Sequence, residues 1–206
     1  MRKNAKEAIV EAAISLFNTK GFNGTSIRDI ASKANVNIAN IAYYFQNKNG
    51  LLEYCLTTFY ESYIKAIEDG ISFLDKGATF TLHRIVENIL VYQCDHLQLT
   101  RFILREMSLD SQIVREIMST YFVKERYYLR KVFEHGMQTG EFKKLSINYV
   151  ILQLKSLLSM PFLNAQYMTE VLYIFPSERY FVDKYLQELQ DWFEQINQVQ
   201  NQSILI

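Results

Sequence analysis

Proline is scarce in this chain: Pro161 and Pro176 are the two examples among 206 residues. Glycine is also sparse, at seven. Long segments therefore run without a backbone breaker, which argues against a hairpin-rich β architecture. Two cysteines, Cys55 and Cys94, are too few for a disulfide framework or a zinc cluster and fit a reduced compartment. No run of about 18 uncharged apolar residues is present, so no transmembrane helix is expected. The opening Met1-Arg2-Lys3-Asn4-Ala5-Lys6-Glu7 lacks the apolar stretch of a secretory signal, and a cytoplasmic location follows. His83, His96 and His135 do not have the i, i+4 spacing of a helical metal pair. No Ser/His/Asp set, glycine-rich phosphate loop or paired-carboxylate signature stands out, so the reading is a non-enzyme without cofactor or metal. Net charge is missing as well, because 22 basic residues cancel 22 acidic ones. That excludes a uniformly basic nucleic-acid coat, but not a local basic patch.

Such a patch exists. Residues 1–50 hold seven basic and three acidic residues, and the acidic excess lies in the remainder. The asymmetry suggests a small basic module on a larger acidic body. Apolar residues recur at helical spacing throughout: Ala5, Ile9, Ala12, Ala13, Leu16 and Phe17, then Leu82, Ile85, Val86, Ile89 and Leu90, then Ile147, Val150, Ile151, Leu154, Leu157 and Leu158. The expectation is an all-α chain of about nine or ten helices. Gly21 ends the first. Gly70 with Gly77 brackets a break after a long helix beginning near Lys48, and Gly136 with Gly140 does the same after a helix over about Ser111–His135. Pro161 closes a helix over 147–159, and Pro176 or Ser177 opens the last. The Gln/Asn-rich tail from Gln198 is expected to fray.

The informative stretch is Thr25 to Phe45. Thr25 or Ser26 can cap a helix, with Asp29 near its positive end. Ile27, Ile30, Ala31 and Ala34 then form one apolar face. Asn35 suits a left-handed turn position, Val36 plugs the turn, and Asn37 can cap a second helix. On that helix Ile38, Ile41, Tyr44 and Phe45 share a face. This is the pattern of a helix-turn-helix, whose second helix enters the DNA major groove. Its outer face carries Ala39, Asn40, Ala42 and Tyr43. Small residues permit close approach, Asn40 can read a base edge, and Tyr43 can donate to a phosphate. Lys48, at the start of the next helix, is a further candidate phosphate contact.

Ala12, Leu16, Phe17, Gly21-Phe22, Thr25 to Ala31, Ala34, Val36, Tyr44-Phe45, Lys48 and Leu51-Leu52 together resemble the TetR family of bacterial DNA-binding proteins. The resemblance implies a three-helix DNA-binding domain over 1–47, a helical regulatory and dimerisation domain over 48–206, a homodimer, and repression commonly relieved by a ligand. The DNA-contacting set it points to is Thr25, Ser26, Arg28, Asn37, Ala39, Asn40, Tyr43, Tyr44 and Lys48. Asn35 replaces the usual turn glycine, Ala42 stands where the family often has tyrosine, and Asn49 replaces a common glutamate. A narrower resemblance, to TetR-type proteins of endospore-forming bacteria, rests on further segments. These are Asn35-Val36-Asn37 with Tyr43-Tyr44-Phe45, Leu99 to Phe102, Arg105-Glu106, Arg115 to Tyr121, Leu152 to Pro161, Val171-Leu172-Tyr173, Pro176 and Tyr180-Phe181. It implies palindromic chromosomal sites, association with the nucleoid, and regulation of the division protein FtsZ during sporulation.

In the larger domain Val182, Leu186, Leu189, Phe193 and Ile196 step by 4, 3, 4 and 3, a seam repeat. With Ile147, Ile151, Leu154 and Leu158 they could build a four-helix bundle across a two-fold axis. Phe102, Met107, Tyr121, Phe122, Tyr127, Tyr128 and Phe133 could line a ligand pocket, although aromatics at helical spacing are more often core. Arg101, Arg105, Ser108, Gln112, Arg115 and Glu116 form a polar stripe. Its arginines, Arg101, Arg105 and Arg115, are candidates for contact with a protein partner such as FtsZ.

Overall fold

The computed structural model describes residues 4–109, 111–178 and 180–197. Among them are ten α-helices and no strands, apart from an isolated bridge between Phe142 and Asn197. The helices are α1 (Ala5–Lys20), α2 (Ile27–Ala34), α3 (Ile38–Phe45), α4 (Lys48–Ile71), α5 (Ala78–Asp95), α6 (Leu97–Ser108), α7 (Gln112–Thr139), α8 (Ile147–Leu163), α9 (Tyr180–Glu188) and α10 (Gln190–Ile196). None is long and apolar enough to cross a membrane. The tail from Gln198 lies outside the described residues.

The chain forms two compact units, one up to Ser62 together with His96–Thr120, the other Tyr63–Asp95 together with the chain from Tyr121. The first unit holds α1 to α3, most of α4, and α6. Ile9, Ala13 and Phe17 of α1 are buried, as are Ile30 of α2, Ile41 and Phe45 of α3, and Leu51, Leu52 and Cys55 of α4. Burial pushes the Cys55 thiol up to about 12, so it stays protonated as a small apolar group. Phe17 stacks on Phe102 of α6 with ring centroids 4.9 Å apart. The helix α6 is thereby part of the unit that carries the helix-turn-helix.

In the second unit the expected α5 stripe, Leu82, Ile85, Val86, Ile89 and Leu90, is wholly buried. The breaks fall within the brackets set by the paired glycines, and two of those glycines, lying just inside the helix ends, are also close-packing points. Gly70 lies inside α4, where an added Cβ would stand 2.4 Å from Ile85 Cγ1 and 2.9 Å from Ile85 N. Gly136 lies inside α7 against the Phe142 ring. Helix α4 crosses α5 at Gly70, and the actual break falls at 72–77, where Glu141 accepts the N–H groups of Ala78 and Thr79 at 2.8 and 2.9 Å. Glu125 is buried and accepts from the Tyr63 hydroxyl at 2.8 Å and from the Lys155 ammonium.

Pro161 does not close its helix. It sits in the last turn of α8, which continues to Leu163. A proline cannot donate to the carbonyl four residues earlier, here that of Leu157. The Tyr185 hydroxyl of α9 donates to that carbonyl instead, at 2.8 Å. A side chain from the next helix thus replaces the missing backbone donor.

Burial also turns both expected dimer stripes inward. Ile151, Leu154, Leu158, Leu189, Phe193 and Ile196 are buried within the single chain, and Ile147 and Leu186 partly so. Phe193 stacks on His83 of α5 at 3.7 Å, and Phe162 of α8 meets Phe181 of α9 edge-on. A repeat of three and four serves packing within one chain as well as between chains, so spacing alone does not separate them. The opposite face of α8 is open: Tyr149, Leu152, Met160 and Leu163 are 69%, 60%, 53% and 45% exposed.

The Pro161–Tyr185 substitution of donors is testable. Tyr185→Phe should lower unfolding free energy by about 1 kcal/mol in urea titrations. In a Pro161→Ala background, where a backbone N–H can reach Leu157, the same change should cost clearly less. Equal costs in both backgrounds would show that the hydroxyl does not replace the backbone donor.

Candidate nucleic-acid interface

The site is built from α2, the turn after it, and α3. Ser26 and Asp29 form a reciprocal cap: the Asp29 N–H donates to Ser26 Oγ at 3.1 Å, and the Ser26 N–H donates to Asp29 Oδ2 at 3.0 Å. The Ser26 N–H first, and then the Ser26 hydroxyl, which donates to Asp29 Oδ2 at 2.8 Å, hold the Asp29 carboxyl below its ordinary value. Helix α2 ends at Asn35, in the left-handed region at φ 52° and ψ 47°, and the Val36 N–H closes the turn onto the Ala31 carbonyl at 3.0 Å. Asn37 Oδ1 then accepts the Ala39 N–H at 2.8 Å and opens α3. Ile41 and Phe45 point into the core. Ile38 and Tyr44, expected on the same face, are exposed, Ile38 because it stands at the first position of the helix.

The outer face therefore carries Ile38, Ala39, Ala42, Tyr43 and Tyr44, with Asn40 half-buried at its edge. Tyr43 is 81% exposed and packs edge-on against Tyr44 with centroids 5.0 Å apart. A shallow cavity of about 590 Å³ opens along this face, lined by Ser26, Ile27, Arg28, Ile38, Ala39, Ala42 and Gln46. It is a groove of small and apolar side chains flanked by Arg28 and Gln46, able to admit thymine methyls and nearby phosphates. Periodicity assigns Ile38 to the buried face and does not single out Gln46, yet both line this groove. Gln46 ends α3 at φ 64°, a conformation that nothing in its residue type announces.

Three of the expected contacts have other engagements, Ser26 among them, since its N–H and its hydroxyl both donate to Asp29 Oδ2. Thr25 is 2% exposed, and its hydroxyl donates to the Gly21 carbonyl at 2.8 Å, fastening the turn between α1 and α2. The Lys48 ammonium donates to the carbonyls of Phe22 and Thr25 at 2.9 and 3.0 Å and lies over the Phe22 ring at 4.4 Å. Asn47 is the cap of α4, its Oδ1 accepting the N–H groups of Asn49 and Gly50. Lys6 lies over the Tyr54 ring at 4.1 Å. The exposed cations of the described part of α1 to α3 are Lys20, Arg28 and Lys33.

The arginines suggested for a protein partner divide. Arg105 donates to the Phe17 and Asn18 carbonyls at the end of α1, beside Asn18 donating to the Gln98 carbonyl at 2.8 Å. It is a cap of α1 and not a free contact. Arg101 is partly buried, and burial lowers its guanidinium from the ordinary value. Arg115 is exposed on the first turns of α7.

A capped helix, a left-handed turn residue and a second helix with a small-residue outer face define a helix-turn-helix DNA-binding protein. Residues 9–55 match the bacterial regulatory proteins, tetR family. The chain is 46% identical over 197 residues to the probable HTH-type transcriptional regulator YttP of Bacillus subtilis, covering 95% of each protein. It is 31% identical over 71 residues to IcaR of Staphylococcus epidermidis, a negative transcriptional regulator of the biofilm operon icaADBC, across 32% of this chain and 38% of that one. Among solved structures, PfmR of Thermus thermophilus superposes with a TM-score of 0.75 at 18% identity, over 90% of this chain and 96% of that one. KstR2 of Mycobacterium tuberculosis does so with a TM-score of 0.75 at 16% identity, over 96% and 97%. The chain belongs to the TetR family and is a TetR-type, DNA-binding transcriptional regulator.

The position of Lys48 yields a prediction. Lys48→Ala should lower the thermal midpoint, because two carbonyls lose their donor at about 1 kcal/mol each. Tyr43→Ala should leave the midpoint unchanged and weaken DNA binding. An unchanged midpoint for Lys48→Ala would remove its fastening role.

Proposed function

We propose that the chain acts as a homodimer that binds palindromic chromosomal DNA through α3 of each protomer. The observation that carries this reading is the outer face of α3 beside the groove flanked by Arg28 and Gln46. In this reading Asn40 reads a base edge, Arg28, Asn37 and Tyr43 contact phosphates, and Ala39 with Ala42 admits the groove wall. Two such helices about 34 Å apart read two half-sites one helical turn apart.

The surface for the second copy is the open face of α8. Tyr149, Leu152, Ser156, Met160 and Leu163 step by 3, 4, 4 and 3 along it. Ser156 is the small residue at the middle, where two helices can cross closely. This seam takes the place of the buried stripes and keeps the bundle geometry expected for the family.

The finer role follows the narrower resemblance, to the RefZ proteins of endospore-forming bacteria: regulation of FtsZ assembly and position during sporulation, coupled to the bound DNA. Its support lies in the segments from Leu99 to Tyr121 and from Leu152 to Phe181 that carry the resemblance. On this reading Arg115 is the exposed arginine of the partner stripe. A ligand-responsive repressor is the second reading, favoured by an aromatic cavity in the second unit and by the repressor role named for IcaR.

Genome-wide mapping of bound sites separates the two. Several palindromic sites dispersed on the chromosome, with spacing near 10 base pairs between half-site centres, support the first. One site over a neighbouring promoter supports the second. For the dimer, Leu152→Asp with Met160→Asp should convert the protein to monomer by light scattering and reduce affinity for a full palindrome far more than for a half-site. A dimer that survives both changes would rule out this face.

A further inference from the structure

The connection between α8 and α9 departs from regular geometry twice. Residues Tyr167–Val171 form a π-helical turn, with the Leu172 N–H reaching back to the Tyr167 carbonyl at 3.0 Å. Tyr173 then adopts the left-handed region at φ 53°, which is rare for a bulky residue. The Ile174 N–H closes the loop onto the Met168 carbonyl at 2.8 Å. Such features persist where the surroundings hold them, and they concentrate at functional sites.

Here they form one wall of a cavity of about 540 Å³, a size typical of small-molecule sites. Tyr173 and Phe175 come from the strained segment, and Tyr180, Phe181 and Tyr185 from α9. The α9 side is ordered: Phe181 stacks on Tyr185 at 5.2 Å, and the Tyr185 hydroxyl is engaged by the Leu157 carbonyl. None of these residues belongs to the α8 seam. Among the described residues, the charged ones in the lining are Glu178, Lys184 and Glu188. Lys184 and Glu188 pair with each other at 2.5 Å, so Glu178 is the carboxylate outside that pair.

Aromatic ring faces are negative and attract cations, and a carboxylate beside them discriminates against anions. We infer that this cavity binds a lipophilic organic cation, with the charged centre among the rings and beside Glu178. The inference rests on the ligand-responsive reading only for its effect on DNA, not for binding itself.

Tetraphenylphosphonium and tetraphenylborate share a shape and differ in the sign of charge, which makes them suitable probes. In calorimetric titration of the full chain, the cation should bind saturably and at least about tenfold more tightly than the anion. Phe175→Ala with Tyr180→Ala should weaken the cation by about tenfold or more. Glu178→Gln, an exposed and conservative change, should weaken the cation and narrow the gap to the anion. Thermal midpoints and circular dichroism establish that the variants are folded. No saturable cation binding, an anion bound as tightly as the cation, or cation binding indifferent to these substitutions would each overturn the site. DNA affinity measured in the same samples keeps the two readings apart. Cation binding that leaves DNA affinity unchanged retains the site and removes the ligand-responsive function.

Discussion

The last carbonyls of a helix have no partners within it, and in α1 two of them are met by a guanidinium from far along the chain. Arg105 donates to Phe17 and Asn18 from 88 and 87 residues away. A cation at this end of a helix also suits its dipole. Phe17 on Phe102, and Asn18 on Gln98, complete the same junction. Helix α1 is the support on which α2 and α3 pack, so the orientation of the DNA-reading helix depends on a contact that α6 supplies. Helices α1 to α3 thus share one compact unit with the start of α4 and with α6. Any event that moved α6 would act directly on the end of α1.

Charge is distributed with the same economy. Among the described residues, the N-terminal excess of positive charge is smaller at the surface than in the composition, because Lys6 and Lys48 have structural engagements on rings and carbonyls. Few cations remain among the described residues to release counterions from phosphate, which limits nonspecific affinity. In the second unit, the buried carboxylate of Glu125 joins Tyr63 of α4 and Lys155 of α8 to α7. A buried charge is tolerated when its partners are in place, and it penalises arrangements in which they are not.

Much of this was legible in the residues. The cap at Ser26, the left-handed Asn35, the cap at Asn37 and the buried stripe of α5 follow from side-chain chemistry and local periodicity, which act over a few positions. What escaped depends on contacts made at a distance. Gly70 and Gly136 bracket the breaks as expected, but their close packing against Ile85 and Phe142 depends on segments distant in sequence. The stripes at 147–158 and 182–196 have the period of an intermolecular seam, yet α5 and the rest of the chain cover them. Lys48 and Arg105 read as surface charges because no local rule reveals the carbonyls that they reach. On the outer face of α3, Tyr43 lies where helical phase puts it and Asn40 stands at the edge, whereas Thr25 turns inward to the Gly21 carbonyl.

The exchange of donors at Pro161 has a bearing on how this part of the molecule opens. An ordinary helix end frays by itself, since its bonds are internal. Here the Leu157 carbonyl is satisfied by α9, so the final turn of α8 and the docking of α9 are one cooperative event. Fluctuations that release α9 also loosen the end of α8 and the strained loop between them. The three segments should open and close on a common timescale, as a single element of local unfolding set apart from the steadier helices around α5.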